Sequence, residues 1–425
     1  MASKFPLLIR LKLFKYIVSL TFILIIIGII YANYNLYYQS ELKKYNGVLI
    51  DQDLLKQLNY LGESLDRGIA HEMQLKYPEG LFFSYLMYGL SWCELAKDLP
   101  EESSFKKKAI KESMMALVNL ESDYCQRNFP KGLSLPNGAF YFSWTNYLRA
   151  KILLLSDNFS TRDKHISDFN FNCDTLSKAI LDSDSPFFES YSNQFWPADI
   201  LPGIASLSIH DILFNTIYDT VITHWFNKVE SKQEPGEIIF PHSVNDKGIA
   251  RQSARGSSLG LILILLKEIS EINSGGIYVL YNRAYRTSFF NLPMLQEYSG
   301  NNSGEEDVDS GPVICGYGSV ATIIGAGVFK RYGELDLAER LNQTIECAGY
   351  PYENSDTKKY LLGKVPMADF FIAWVKSLKT LEYKTVNTNV NENWRLTFQI
   401  TSFILISIIV VLLLKINIRK SIIGK

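Results

Sequence analysis

Asp199, Asp307 and Asp309 are the residues of this 425-residue chain whose setting best suits acid–base chemistry. Asp199 lies one turn into an otherwise apolar run, WPADILPGIASL. A carboxylate there is costly to bury unless it is paired or faces a wet cavity. Asp307 and Asp309 belong to the acidic stretch Glu305–Asp309, which leads into Ser310, Gly311 and Pro312. Two carboxylates brought to one cavity can act as general acid and general base at a glycosidic or hydroxyl-bearing carbon. The bland readings are as simple. Asp, Ser and Gly-Pro are ordinary helix-start residues, and a salt bridge to Arg251 or Arg255 would account for Asp199.

Around these acids stand groups able to hold a ligand. Trp144, Tyr191, Trp196 and Tyr317 offer flat faces, Gln194 an amide, and His242, within IIFPHSV, an imidazole. Arg251 and Arg255, four apart, share one face if a helix has begun there, and can clamp an anion or neutralise the acids. The set suits a saccharide or other polyhydroxylated small ligand. Read singly, a buried aromatic is plain core and a lone histidine is structural. Glu79, after Pro78, reads as a first-turn dipole partner.

Other chemistry finds no support. There is no Ser/His/Asp elbow, glycine-rich phosphate loop or H-E-x-x-H. Five scattered cysteines (Cys93, Cys125, Cys173, Cys315 and Cys347) lack any C-x-x-C spacing. Neither a metal site nor another cofactor is expected, while one or two isolated disulfides stay open. A net charge of −1 gives no sign of a nucleic-acid partner.

The elements that must position these residues repeat along the chain. Apolar segments start at Pro78, Pro136, Trp196, Gln252, Ser310 and Lys364, at intervals of roughly 54–60 residues. Between them lie amphipathic segments such as SFKKKAIKESMMALVNL and LDLAERLNQTIECAG. In the latter, Leu337, Leu341 and Ile345 share one face. A helix apolar all round followed by a one-sided one makes a hairpin with a buried and an outer member. Six such hairpins predict an all-α (α/α)6 toroid over residues 61–380. Its inner helices line the ring, and the segments before them meet at one mouth. Repeat six would bring Met367 and Asp369 there.

Two further segments are of another kind. YIVSLTFILIIIGIIY, from Tyr16, and FQITSFILISIIVVLLL, from Phe398, carry no charge and are long enough to cross a lipid bilayer. Transmembrane helices are expected over 16–32 and 397–415, joined to the toroid by linkers 33–60 and 381–396. Lys4, Arg10, Lys12 and Lys15 precede the first, and Lys415, Arg419, Lys420 and Lys425 follow the second. The positive-inside rule then sets residues 1–15 and 416–425 in the cytoplasm and the main domain outside it.

The six-hairpin plan is similar to that of six-hairpin glycosidases, polysaccharide lyases and sugar epimerases. Over repeats three to five, SNQFWPADILPGIASLSIHD and EEDVDSGPVICGYGSVATIIGAGVFKRYGELDLAERL resemble the linalool dehydratase-isomerase family. Trp196 and Asp199 stand where that family sets cysteines, so the resemblance implies fold and mouth without thiol chemistry. The expected function is a membrane-anchored extracytoplasmic glycan-active enzyme, a hydrolase, lyase or epimerase. A dehydratase or isomerase of a small alcohol, or a non-catalytic scaffold of a membrane complex, are the alternatives.

Overall fold

A helix that is apolar around its whole circumference must be covered on every side, and the repeats supply such helices in alternation with one-sided ones. The computed structural model describes residues 5–215, 218–233, 238–269, 272–300, 310–381 and 393–422. The chain is mostly helical. Its helices are α1 (Phe5–Asn35), α2 (Gln52–Asp66), α3 (Ile69–Lys76), α4 (Gly80–Ala96), α5 (Ser104–Leu120), α6 (Asp123–Gln126), α7 (Gly138–Leu155) and α8 (Arg162–Asp182). There follow α9 (Pro197–Phe214), α10 (Asp219–Ser231), α11 (Gly256–Leu266), α12 (Gly275–Tyr285), α13 (Ser319–Arg331), α14 (Leu335–Gly349), α15 (Pro366–Ser377) and α16 (Leu396–Ile422).

Burial separates the two kinds. Every residue of α4 except Phe83 is buried, as is every residue of α7 except Leu154. In α14, Leu337, Leu341 and Ile345 are buried while Asp336 is not. The buried helices pack in succession: α4 on α7, α7 on α9, α9 on α11, α11 on α13, α13 on α15, and α15 on α4. Each packs on an outer partner, α4 on α5, α7 on α8, α9 on α10, α11 on α12 and α13 on α14. The outer partner of α15 is α2, which comes from the other end of the chain. That helix begins inside the segment expected to be a linker up to residue 60. Its start is set by Asp51, whose carboxylate accepts from the amides of Asp53 and Leu54.

Short antiparallel strands depart from an all-α chain. β1 (Leu42–Tyr45) pairs with β2 (Val48–Asp51), and β3 (Glu189–Tyr191), β4 (Gln194–Phe195), β5 (Ser243–Val244) and β6 (Ala250–Gln252) form one sheet in that order. Three hairpins follow: β7 (Arg286–Phe289) with β8 (Leu292–Leu295), β9 (Val313–Ile314) with β10 (Tyr317–Gly318), and β11 (Tyr352–Glu353) with β12 (Lys358–Lys359). The fifth inner helix, expected from Ser310, therefore begins only at Ser319. Cys315 and Gly316 take positive φ (53° and 85°) and turn the chain back into β10 instead.

Close backbone crossings fix where inner helices begin. A Cβ on Gly138, whose φ is +84°, would lie 2.2 Å from the Ser190 carbonyl oxygen. On Gly256 it would lie 2.1 Å from the Gln296 oxygen. At the opposite ends of the inner helices a buried ionic cluster ties four of them together. Arg331 Nη2 donates to Glu94 (3.1 Å) and Glu268 (2.6 Å), and Lys151 Nζ reaches the same two carboxylates (2.5 and 3.2 Å). Burial alone would raise the Glu94 carboxyl, yet Arg331 and Lys151 hold it well below the usual range.

α1 and α16 each contain a stretch long and apolar enough to cross a membrane, Leu13–Asn35 and Leu396–Ile416. They pack on each other, and α1 packs on α14. Their ends are fastened to the domain by polar contacts. Arg395 donates to Leu36 O (2.8 Å) and Gln343 Oε1 (2.5 Å), Gln343 donates to Tyr38 O (3.0 Å), and Tyr38 donates to Asp53 (2.6 Å).

Candidate functional site

The segments that precede the inner helices meet at a cavity of about 850 Å³. Its polar side is built from the β3–β6 sheet and the starts of the helices next to it. In β3, Tyr191 donates its phenol proton to Glu79 Oε1 at 2.6 Å. The preceding residue, Ser190, donates its hydroxyl to Asp199 Oδ2 and accepts from the Phe140 amide at 3.1 Å. Two carboxylates lining the cavity, Glu79 before α4 and Asp199 in the first turn of α9, are thus each oriented by a hydroxyl from adjacent strand residues. Both sit at helix N-termini.

Further polar groups complete this side. His242 Nδ1 stands 3.2 Å from Ser258 Oγ, and its amide donates to Gln252 O at 3.0 Å. Arg255, next before α11, carries its guanidinium 5.4 Å from the Tyr298 ring centre. Trp196 meets Tyr191 edge to face, with 6.2 Å between ring centres. Much of the remaining lining is apolar and includes Phe83, Phe140, Leu261, Ile323, Phe371 and Ile372.

Of the residues singled out from sequence, Asp199, Trp144, Tyr191, Gln194, Trp196, His242 and Arg255 line this cavity. Trp144 does so from full burial, wedged edge-on against Tyr147 and Trp374. Arg251 and Tyr317 are not among the lining residues. Arg251 lies in extended β6, exposed, with Nη1 3.4 Å from Asn193 O, because α11 starts only at Gly256 and no helical face joins it to Arg255. Tyr317 belongs to β10, where its hydroxyl donates to Ser288 O at 3.1 Å and its ring packs against Phe289. Asp307 and Asp309 lie outside the described residues; Gly311 and Pro312, just beyond them, line the cavity.

Three acids escaped a functional reading from sequence or were mentioned only in passing. Glu79 reads from sequence as a dipole partner, and its place directly before the first inner helix is the signal for a role at the cavity. Glu297, fully buried, accepts from Ser257 Oγ at 2.6 Å and fastens the chain after β8 to the start of α11. Asp369 is fully buried in the first turn of α15, where Oδ1 accepts from the Tyr360 amide at 2.9 Å. Burial pushes its carboxyl up to about 8, so it carries its proton at neutral pH.

No family model matches this sequence, and no curated protein is similar to it. The residues therefore speak for themselves. Among the described residues no group of three His, Cys, Asp or Glu side chains is placed to hold a metal ion. All five cysteines are free thiols, so neither of the disulfides left open by the sequence is formed.

Proposed function

We propose that this chain is a membrane-anchored extracytoplasmic enzyme acting on glycan-type substrates, built as an (α/α)6 toroid between two transmembrane helices with both termini in the cytoplasm. The cyclic order of helix contacts, α4 through α15 and back to α4, supports the toroid. Basic residues on the terminal side of each apolar helix support the topology. The observation that carries the function is the pair of hydroxyl-oriented carboxylates, Glu79 and Asp199, beside Tyr191 and Trp196 in one cavity. One acts as general acid on the leaving oxygen and the other as base or stabilising anion, with Asp307 or Asp309 as the third candidate. The aromatic faces and the amides of Gln194 and Gln252 hold the sugar.

A second reading, a dehydratase or isomerase of an alcohol, is favoured by the apolar wall of Phe83, Phe140, Phe371 and Ile372. Both readings use the same acids and differ in the bond cleaved. The full chain in detergent, presented with labelled glycans, glycolipids and long-chain alcohols, distinguishes them by product. Glu79→Gln and Asp199→Asn are each expected to cost on the order of 10²-fold or more in turnover with the unfolding temperature preserved. Full activity in both variants would remove the assignment.

A further inference from the structure

The cavity has two unlike lips, and one of them belongs to the part of the domain that rests on the membrane helices. Gln194 and Gln252 line the cavity and are exposed, forming a polar lip. Ala348, Leu361 and Val365 also line it and are also exposed, forming an apolar lip. Next to that second lip, large apolar side chains from four separate segments face outward: Phe289, Phe290, Ile314, Tyr350, Leu361 and Leu362. Ile314 is 68% exposed and Leu362 64%. Phe290 and Leu362 are held at positive φ (48° and 55°), Phe290 within the two-residue turn that closes the β7–β8 hairpin.

Three of these segments are tied to the ends of the membrane helices. The Tyr31 hydroxyl of α1 donates to Pro351 O, and the Tyr350 ring approaches Gly28 to 3.8 Å of where a Cβ would stand. Tyr31 and Gly28 lie roughly 6 and 10 Å inside the Asn35 end of α1, at about 1.5 Å per residue. Asn291, at the tip of the β7–β8 hairpin beside Phe290, donates to Thr397 Oγ1 at 2.7 Å, one residue into α16. The β9–β10 turn is fastened to the same place through the Tyr317–Phe289 ring contact (5.3 Å). Cys347 on α14, Leu292 on β8, Ala32, Leu36 and Trp394 pack into one cluster that joins the helix ends to this face.

We infer that the apolar lip is seated in the headgroup layer of the bilayer, and that the cavity takes a membrane-resident amphiphile directly from it. The ligand's hydrocarbon chain lies along the wall of Phe83, Phe140, Ile323, Phe371 and Ile372. Its hydroxylated or glycosylated head meets Glu79, Asp199 and His242. Tyr350 is an amphipathic ring of the kind that settles at this depth, exposed Phe and Leu side chains bury at the headgroup boundary, and an apolar passage from there costs the ligand chain no exposure to water. The inference rests on the acid–base reading only for what becomes of the head, and the entry route stands without it.

The full chain in phosphatidylcholine nanodiscs provides the test. In a Cys315→Ser background, a fluorophore on Phe290→Cys or Leu362→Cys is expected to be quenched by phosphatidylcholine spin-labelled near the glycerol. The same fluorophore on Phe171→Cys, exposed on outer helix α8, is expected to be quenched at least about fivefold less. Hexadecanol carrying a diazirine at its chain end should photolabel the α13 and α15 wall at Ile323 or Phe371, and Ala348→Trp should lower that labelling at least about fivefold. Photolabelling is read without turnover, so uptake of the probe by the parent chain beside full turnover in Glu79→Gln and Asp199→Asn would fail the acid–base assignment and leave the entry route standing. Rim labels no better quenched than Phe171→Cys, as when a second copy covers the rim, would overturn the inference. So would adducts confined to α1 and α16, or labelling indifferent to Ala348→Trp.

Discussion

The phenol of Tyr191 donates to Glu79 across 112 residues of sequence, joining strand β3 to the start of the first inner helix at 2.6 Å. The Ser190 hydroxyl beside it is spent on Asp199. One short strand thus sets the orientation of two acids that come from the first and third repeats.

Removing that orientation should be felt in turnover more than in binding. Tyr191→Phe deletes one hydrogen bond to a carboxylate, worth about 1.5–3 kcal/mol. The expected outcome is a fall in kcat of about tenfold or more with KM changed far less, read by steady-state kinetics on the substrate that the screen identifies. Equal losses in kcat for Tyr191→Phe and a distant aromatic change such as Phe171→Leu would contradict the role.

Gly138 holds strand β3 against α7. Gly138→Ala places a methyl group 2.2 Å from the Ser190 carbonyl and forces φ of +84° on an L-residue. The left-handed conformation alone costs roughly 1–2 kcal/mol, before the clash is counted. Thermal unfolding should drop by several degrees, and activity should fall together with it because Ser190 carries Asp199.

The ionic cluster at the far ends of the inner helices gives a second stability test. Arg331 is fully buried between Glu94 and Glu268. Arg331→Met leaves two carboxylates without that cation, and breaking a buried pair from one side costs about 3–5 kcal/mol. Adding Glu268→Gln, which leaves Lys151 paired with Glu94, should recover much of the loss. A single variant as stable as the parent in denaturant titration would show that the cluster contributes little.

Asp369 predicts a pH dependence with a definite sign. Burial raises its folded-state value to about 8, above the 3.8 of an ordinary aspartic acid. Between these values the folded state holds more protons than the unfolded one. Stability from this group is therefore intact below about pH 4 and lost progressively as pH rises towards about 8. Asp369→Asn, which keeps an oxygen for the Tyr360 amide, should flatten that decline, so its advantage in unfolding temperature grows from pH 5 to pH 8. A constant offset across this range would sink the argument.

Thiol accessibility tests the arrangement of the repeats cheaply. Cys315 is exposed in the β9–β10 turn, whereas Cys93, Cys125, Cys173 and Cys347 are buried. Burial also raises the Cys93, Cys125 and Cys347 thiols to about 12. Maleimide should modify one thiol per folded chain and five after denaturation, counted by mass spectrometry; two or more in the folded state would be at odds with the packing.

Much of the framework was legible in the sequence because it follows from local periodicity. The apolar segments after Pro78, Pro136 and Trp196 could only be helices covered on all sides, and Leu337, Leu341 and Ile345 declare an outer one. The two terminal apolar runs declared themselves by length. The spacing of those segments also put Asp199, Tyr191 and Trp196 near a helix start. What periodicity could not reach were contacts made across long stretches of chain. Gly138 met the Ser190 carbonyl, α2 arrived from the N-terminal side to cover α15, and Glu79 met the Tyr191 phenol only once the helices had packed. The short β6 and β10 strands, set by pairing and by positive φ at Cys315 and Gly316, moved Arg251 and Tyr317 away from the cavity. A helix is specified by neighbours three and four residues apart, so the sequence determines it. A cavity is specified by which helix ends meet, and that is decided by packing among residues from about forty to some three hundred positions apart.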